Sequence, residues 1–216
     1  FAGVRLGIPR SATGGAAPAS LEFGASAWVD VDTSGNAHVT EMGKVTNLGD
    51  VPKLAPIVDK IKSRLRARIE SWQFIPATRN GIVVTSKTHV RASLEGFDDG
   101  SGGLGIRILS ANTGSELKDN NYSGIQAAGQ KAGEEGLVTL DITYGEDGKV
   151  RTVLVHESKT FNQGQFGGHA SKDLRRGLME AARAWLLVPE QVAGQPVSGE
   201  GRTTIIFCFS TACTAA

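Results

Sequence analysis

The residues best suited to catalysis are spread along the sequence and form no known catalytic motif. Neither HExxH nor GxSxG occurs, so a zinc-peptidase helix and the nucleophile turn of an α/β-hydrolase are not predicted. We therefore expect no enzyme, and a hydrolase that uses loop residues is the remote alternative. The four histidines, which we expect at the surface, are His38, His89, His156 and His169.

A glycine-rich stretch matches the residue pattern of a dinucleotide-binding fingerprint but not its structural context. Residues 100–105 read GSGGLG, but a functional fingerprint follows a strand and opens a helix. Here the stretch follows Asp98 and Asp99, whose charges would repel phosphate, and it leads into the strand-like IRIL. The sequence therefore predicts no nucleotide cofactor, and nothing else in it predicts a cofactor of another kind.

The only two cysteines lie close to the C-terminal end. Cys208 and Cys213 are five residues apart in FCFSTAC, and two cysteines at this spacing do not make a zinc site. Two interpretations stay open. The thiols are unpaired, or they form a small disulfide that folds the tail back in an oxidising compartment.

Charge and hydropathy argue against two kinds of partner. The 216 residues include 23 basic and 22 acidic ones, a net charge of +1, so no basic face for nucleic acid is predicted. The densest basic stretch, 60–68, falls on the outer face of a predicted helix. No apolar run reaches the roughly 18–20 residues of a membrane span. Because the chain starts at Phe1 and not at Met, we expect trimming, and a lost signal peptide or anchor would leave no trace.

An internal repeat organises the chain. Trp72 and Trp185 are 113 residues apart, and so are Pro76 and Pro189. The spacing W-x-x-x-P-x-x-x-x-G occurs twice without a gap, which predicts two copies of one ancestral domain. Further pairs at the same offset are Gly35 and Gly148, Leu65 and Leu178, Gly81 and Gly194, and Val84 and Val197.

Each copy has the same predicted order of elements: strand, strand, helix, strand. Period-two alternation indicates the strands, a turn at Gly35 or Gly148 joins the first two, and a three- and four-residue apolar period indicates the helix. Ser171 is the predicted N-cap of the second helix. The predicted strands are 27–31, 37–42 and 85–94 in the first copy and 140–144, 150–155 and 203–209 in the second.

These elements predict an α+β protein of two tandem β-β-α-β domains. Each would be an antiparallel sheet of about three strands covered by one helix, with Trp72 or Trp185 closing a thin core. We expect either Trp→Ala change to cost about 3–5 kcal/mol. The predicted divisions are an extended N-terminal segment 1–22, a domain 23–96, a glycine-rich linker 97–118 with one short strand, and a domain 119–216. The loop 157–169 is expected to be mobile.

The second copy resembles the C-terminal domain of TonB, the periplasmic energy transducer of Gram-negative bacteria. The first copy contributes the fuller helix end of that family, Trp72, Phe74, Pro76 and Gly81. Ser123 replaces the family's proline after Tyr122, Leu187 replaces a phenylalanine, and these 216 residues include neither the membrane anchor nor the Pro-rich spacer of that family. The matching residues of the second copy are Tyr122, Ala127 or Ala128, Gly136, Gly148, Trp185, Pro189, Gly194, Pro196, Val197 and Phe207.

The resemblance implies a periplasmic protein–protein interaction module, free or anchored in its precursor. Family members add an extended peptide as a strand to the edge formed by the last strand. An outer-membrane receptor or another envelope protein would be the partner, and its identity and the oligomeric state stay open. The alternative is a scaffold whose two domains pair edge to edge. The partner-binding residues implied are Asn120, Asn121, Tyr122, Thr203, Ile205, Phe207 and Phe209.

Overall fold

The computed structural model describes residues 4–6, 21–46, 55–98, 104–118, 123–162 and 165–207. Strands predominate among these residues and three helices accompany them, which confirms the predicted α+β class. In chain order the elements are β1 (Val4–Leu6), β2 (Leu21–Val31), β3 (Ala37–Thr46), α1 (Ala55–Glu70), β4 (Ala77–Arg79), β5 (Ile82–Val84), β6 (Ser86–Asp98), β7 (Leu104–Gly114), β8 (Glu116–Leu117), α2 (Ser123–Ala132), β9 (Gly136–Tyr144), β10 (Val150–Asn162), β11 (Gln165–His169), α3 (Lys172–Arg183), β12 (Leu187–Val188), β13 (Gln191–Val192), β14 (Gln195–Pro196) and β15 (Gly199–Phe207).

The chain divides into two compact units whose borders differ from the predicted domains. Unit 1 contains the chain up to Thr113 and also Gln191–Gln195. Unit 2 contains Gly114–Glu190 and the chain from Pro196 onward. The short segment Gln191–Gln195 therefore lies in unit 1, although the repeat assigns it to the second copy. It does so because β13 pairs with the start of β6.

Unit 1 is built on a sheet in which β2 lies between β3 and β6. Both neighbours are antiparallel to β2, and the other side of β6 carries β7 and β13. One face of β2 is buried at alternate positions from Phe23 to Val31, as period-two alternation predicts. Apolar residues of α1, Ile61, Leu65 and Ile69, pack into the same core. The sheet has seven described strands, so the expected three-stranded sheet was too small.

Most of the predicted linker 97–118 is strand. β7 and β8 cover residues 104–114 and 116–117, far beyond the short strand expected there. Ile106 and Ile108 are buried in the core of unit 1, whereas Arg107 and Leu109 between and after them are exposed. Burial of this alternating apolar pair outweighs the glycine content that favoured a linker.

Unit 2 contains a four-stranded sheet in the order β11-β10-β9-β15. Two helices contribute to its core, through Ile125 of α2 and through Leu174 and Leu178 of α3, so one covering helix was an underestimate. The predicted N-cap is confirmed, because the Leu174 N–H donates to Ser171 Oγ at 3.1 Å. The loop expected to be mobile is largely strand: β10 continues to Asn162, and β11 returns along it.

Residues 113 apart have corresponding backbone geometry in the two units. Gly35 and Gly148 both have positive φ, at 83° and 74°. The carbonyl of each accepts a hydrogen bond from a residue just after the helix, Phe74 N–H at 2.9 Å and Leu187 N–H at 2.8 Å. The strand registers correspond too. Val31 pairs with Ala37 and Ser86, and Tyr144 pairs with Val150 and Gly199.

Candidate functional site

The last described strand forms one end of the sheet in unit 2. β15 pairs with β9 in an unbroken antiparallel register, from Gly199 opposite Tyr144 to Phe207 opposite Gly136. Within the described part of the chain, β9 is the only strand paired with β15. We call the side of β15 away from β9 its open side. A strand end of this kind offers main-chain N–H and C=O groups to another strand.

Two of the residues predicted to bind a partner point into the core instead. Ile205 and Phe207 are 6% and 1% exposed and pack with the helices of unit 2, while Thr203 on the same face is half-buried. Their side chains are therefore not available to a peptide added beside β15. Thr204 and Ile206 alternate with them and are exposed, Ile206 by 59%.

The hydrogen bonds at the two ends of β9 show which main-chain groups of β15 face the open side. Gly145 N–H donates to Lys149 O at 3.1 Å, and Phe161 N–H donates to Glu135 O at 2.8 Å. Main-chain groups alternate in direction along a strand. The odd-numbered residues of β9 thus face β10, and the even-numbered ones face β15.

It follows that alternate residues of β15 bond to β9 and the others do not. Val138 and Leu140 lie opposite Ile205 and Thr203. The main-chain N–H and C=O groups of Ile205 and Thr203 therefore bond to β9. The main-chain N–H and C=O groups on the open side belong to the even-numbered residues of β15. The sequence prediction missed these residues. They are Glu200, Arg202, Thr204 and Ile206, and all four are exposed; the alternation in the sequence separates them from the buried residues but does not show which set faces β9.

The strand of unit 1 that corresponds to β15 has both sides covered. β6 pairs with β2 in the register that β15 makes with β9. Its other side carries β7, and the two are tied by side chains as well: Arg107 Nε lies 3.0 Å from Glu95 Oε2, and the guanidinium lies 4.5 Å from the centre of the Phe97 ring. In unit 1, a later segment of the chain thus occupies the side that is open on β15.

The exposed face of the sheet in unit 2 carries a charged cluster across three strands. Arg202 of β15 donates to Asp141 of β9 through Nε at 2.6 Å and through a terminal nitrogen at 3.2 Å. His156 Nδ1 of β10 lies 3.2 Å from the same carboxylate. The Arg202 hydrogen bonds lower the pKa of Asp141, and the positive charges of Arg202 and His156 lower it further. The cluster links β15 to the sheet.

This cluster gives a pH-dependent prediction. Because the folded-state pKa of Asp141 lies below its unfolded value, its contribution is present above the unfolded pKa and lost as pH falls through the folded pKa. A carbon-detected NMR titration of the Asp141 carboxyl should show its midpoint rise in Arg202→Gln and rise less in His156→Gln. An unchanged midpoint in Arg202→Gln would contradict the assignment. The effect on stability is small because the pair is exposed.

The remaining predicted residues fall into two groups. Asn120, Asn121, Tyr122, Phe209 and both cysteines, Cys208 and Cys213, lie outside the described residues. The six predicted structural residues are described. Trp185 is buried and Trp72 is half-buried; Pro76 and Pro189 follow α1 and α3; and Gly81 and Gly194 adopt positive φ, at 78° and 73°, in hairpin turns.

One histidine differs from the expectation that all four are exposed. His89 is 4% exposed and lies directly opposite Trp28, with the ring centres 5.1 Å apart. Each ring shields the other from water across the β2–β6 pair. His38, His156 and His169 are exposed as expected.

The described residues hold no group of three His, Cys, Asp or Glu side chains that could bind a metal ion. None of the helices in the described ranges is long and apolar enough to cross a membrane. Comparisons with models of protein families, with curated proteins and with solved structures find no match to this chain.

Proposed function

We propose that this protein binds an extended segment of a partner by adding it as a strand to the open side of β15. The observation that carries the proposal is the contrast between β15 and β6. The two strands have the same register on their inner neighbours, yet among the described residues β6 has further strands on its other side and β15 has none. β7 on β6 is thus an intramolecular precedent for the added strand. The role is one of recognition, without enzymatic chemistry.

We also propose that the two units derive from tandem β-β-α-β domains of the TonB C-terminal type. The elements β2, β3, α1 and β6 would form the first copy, and β9, β10, α3 and β15 the second. The matching registers and turn glycines at a 113-residue offset support a duplication. A periplasmic location and a partner in the cell envelope, such as an outer-membrane receptor, follow from the resemblance to that family.

The chemistry of β15 indicates what kind of segment would fit. Main-chain hydrogen bonds to Arg202, Thr204 and Ile206 would supply affinity without regard to sequence. Selectivity would come from the exposed side chains of Thr204 and Ile206, which lie two residues apart on the same face of β15. A peptide that alternates β-branched apolar residues with threonine satisfies both requirements.

The strand pairing inside unit 1 limits which strands a scaffold could use to join two domains. Because β7 and β13 already cover the second side of β6, that side is not free to pair with another domain. One scaffold compatible with this pairing joins β15 to β15 of a second copy of the chain. Such pairing would make the amide protection of β15 depend on protein concentration.

Hydrogen exchange followed by NMR separates these possibilities. In the free protein we expect slow exchange at Thr203 and Ile205, whose N–H groups face β9, and fast exchange at Thr204 and Ile206. Adding acetyl-Thr-Val-Thr-Val-Thr-Val-amide should slow exchange at Thr204 and Ile206. Slow exchange there without peptide, increasing with protein concentration, would favour the scaffold.

A proline substitution tests the main-chain contact directly. Thr204→Pro removes one N–H from the open side and none that faces β9, and proline is tolerated at such positions of edge strands. We expect it to abolish saturable binding of the peptide. Thr204→Ala, which loses the same hydroxyl but keeps the N–H, should bind within about twofold of the wild type. Equal binding by both variants would exclude strand addition on this side.

A further inference from the structure

A groove of about 480 Å³ lies in unit 1 at the C-terminal end of α1, away from the sheet edge discussed above. Its walls include the two aromatic rings Trp72 and Phe74, whose centres are 6.3 Å apart, and the end of β7 at 111–113. Arg68 also lines it, and none of the described lining residues is acidic. The groove therefore combines an aromatic surface with one uncompensated positive charge.

The corresponding surface of unit 2 is covered by the chain itself. The positions equivalent to Gln73 and Phe74 are Leu186 and Leu187. Leu186 O accepts a hydrogen bond from Lys118 N–H at 2.9 Å, and Leu187 pairs with Leu117 of β8. In unit 2, then, a short extended segment pairs with the main chain just after the helix. Val188 pairs with Glu116 of β8, and its equivalent in unit 1 is Ile75. Ile75 is 96% exposed.

The two surfaces differ at the position of Arg68. In unit 2 the equivalent residue is Ala181, and α2 packs so closely on it that a Cβ at Gly124 would lie 3.0 Å from the Ala181 methyl. In unit 1 an arginine stands at this position, and it lines the groove.

Arg68 lacks the partners that a buried guanidinium nitrogen normally has. Its Nε is buried and makes no hydrogen bond, and no described ion pair involves its side chain. The buried Nε cannot be reached from the groove, so a ligand would bond to the terminal nitrogens of the guanidinium, and a carboxylate is the acceptor that fits these best. The neighbouring Gln73 amide is already used, because its Nε2 donates to Ser34 O at 2.6 Å.

We propose that this groove binds an extended peptide that carries a carboxylate. Its main chain pairs with 73–75 as β8 pairs with the corresponding residues of unit 2, and its carboxylate accepts hydrogen bonds from Arg68. Apolar side chains beside the carboxylate pack on Trp72 and Phe74. The site is independent of the proposed strand addition on β15, because it uses other residues of another unit.

Binding of a fluorescein-labelled acetyl-Thr-Val-Glu-Val-Thr-amide, measured by fluorescence polarisation, tests the proposal. We expect saturable binding with shifts of the Trp72 indole signal in NMR spectra of the full chain. Arg68→Gln should weaken binding by roughly tenfold, as for the loss of a hydrogen bond to a charged group. Arg64→Gln removes the same charge from an exposed position of α1 that does not line the groove, and should bind like the wild type.

Two further peptides complete the test. The peptide with Gln in place of Glu should bind the wild type roughly tenfold more weakly and should show no further loss with Arg68→Gln. A version with Gln and a free C-terminal carboxylate shows whether the acid is a side chain or a chain end. Thr204→Pro should leave all of these affinities unchanged. Equal binding of the Glu and Gln peptides, or no shift at Trp72, would overturn the proposal.

Discussion

Gly148→Ala is expected to lower the unfolding free energy of unit 2 by about 2–5 kcal/mol, the sum of a backbone cost and a steric cost. Gly148 has φ of 74°, a conformation that costs an L-residue about 1–2 kcal/mol. A Cβ there would also collide with the carbonyl oxygen of Leu187. That carbonyl cannot move away easily, because Leu187 N–H is bonded to Gly148 O and Leu187 is paired with β8.

Gly133→Ala is the matched control for this change, because Gly133 also lies in unit 2. Gly133 has a similar φ, 67°, but an added Cβ would meet no described atom within 4 Å. The backbone strain alone should cost about 1–2 kcal/mol. Urea denaturation of both variants, followed by circular dichroism, measures the difference. If the two alanines lower the unfolding free energy equally, the close approach of Gly148 to the helix end has no energetic role.

Trp185→Ala should cost about 3–5 kcal/mol, because its side chain fills a core that a small unit cannot rebuild. Trp185 is 6% exposed and packs with the apolar residues of α3 and β9. Trp72, which the sequence predicts to be equivalent, is only half-buried against the core of unit 1 and forms a wall of its groove. We therefore now expect Trp72→Ala to cost less, about 1–3 kcal/mol.

The comparison of the two tryptophans can be made in one experiment. Thermal and urea unfolding of Trp72→Ala and Trp185→Ala, with Trp185→Phe as the conservative control, should rank Trp185→Ala as the least stable. Trp185→Phe keeps most of the buried area and should lose less than half as much. A larger loss for Trp72→Ala than for Trp185→Ala would mean that unit 1 depends on its helix end more than the burial indicates.

Local patterns in the sequence predicted α1, α3 and the turns at Gly35 and Gly148. The apolar period through Ile61 and Leu65 indicated α1, and the serine before the second apolar stripe gave the N-cap of α3. The turn glycines were identified because Gly35 and Gly148 sit between alternating segments, where a positive φ is required. These features depend on residues near each other in the chain, so they can be predicted from the sequence.

Features that depend on distant partners were missed. β7 has only a short alternating stretch around Ile106, and its glycine-rich start looks like a linker until β6 and β1 are placed beside it. For the same reason, β15 could be identified as the last strand, whereas the direction of its main-chain groups could not. That direction is set by the register of β15 on β9 and by the hydrogen bonds of β9 to β10, and it moved the candidate site from Ile205 and Phe207 to Thr204 and Ile206.

The assignment of Gln191–Gln195 to unit 1 has a consequence for the order in which the protein can be completed. During synthesis, β6 emerges about a hundred residues before β13, the strand that covers its first two residues. Unit 1 therefore stays incomplete until nearly all of unit 2 has been made. A fragment that stops at Thr113 would expose Ser86 and Lys87 as a short unpaired edge. Dividing the chain between the two copies therefore does not give two complete units.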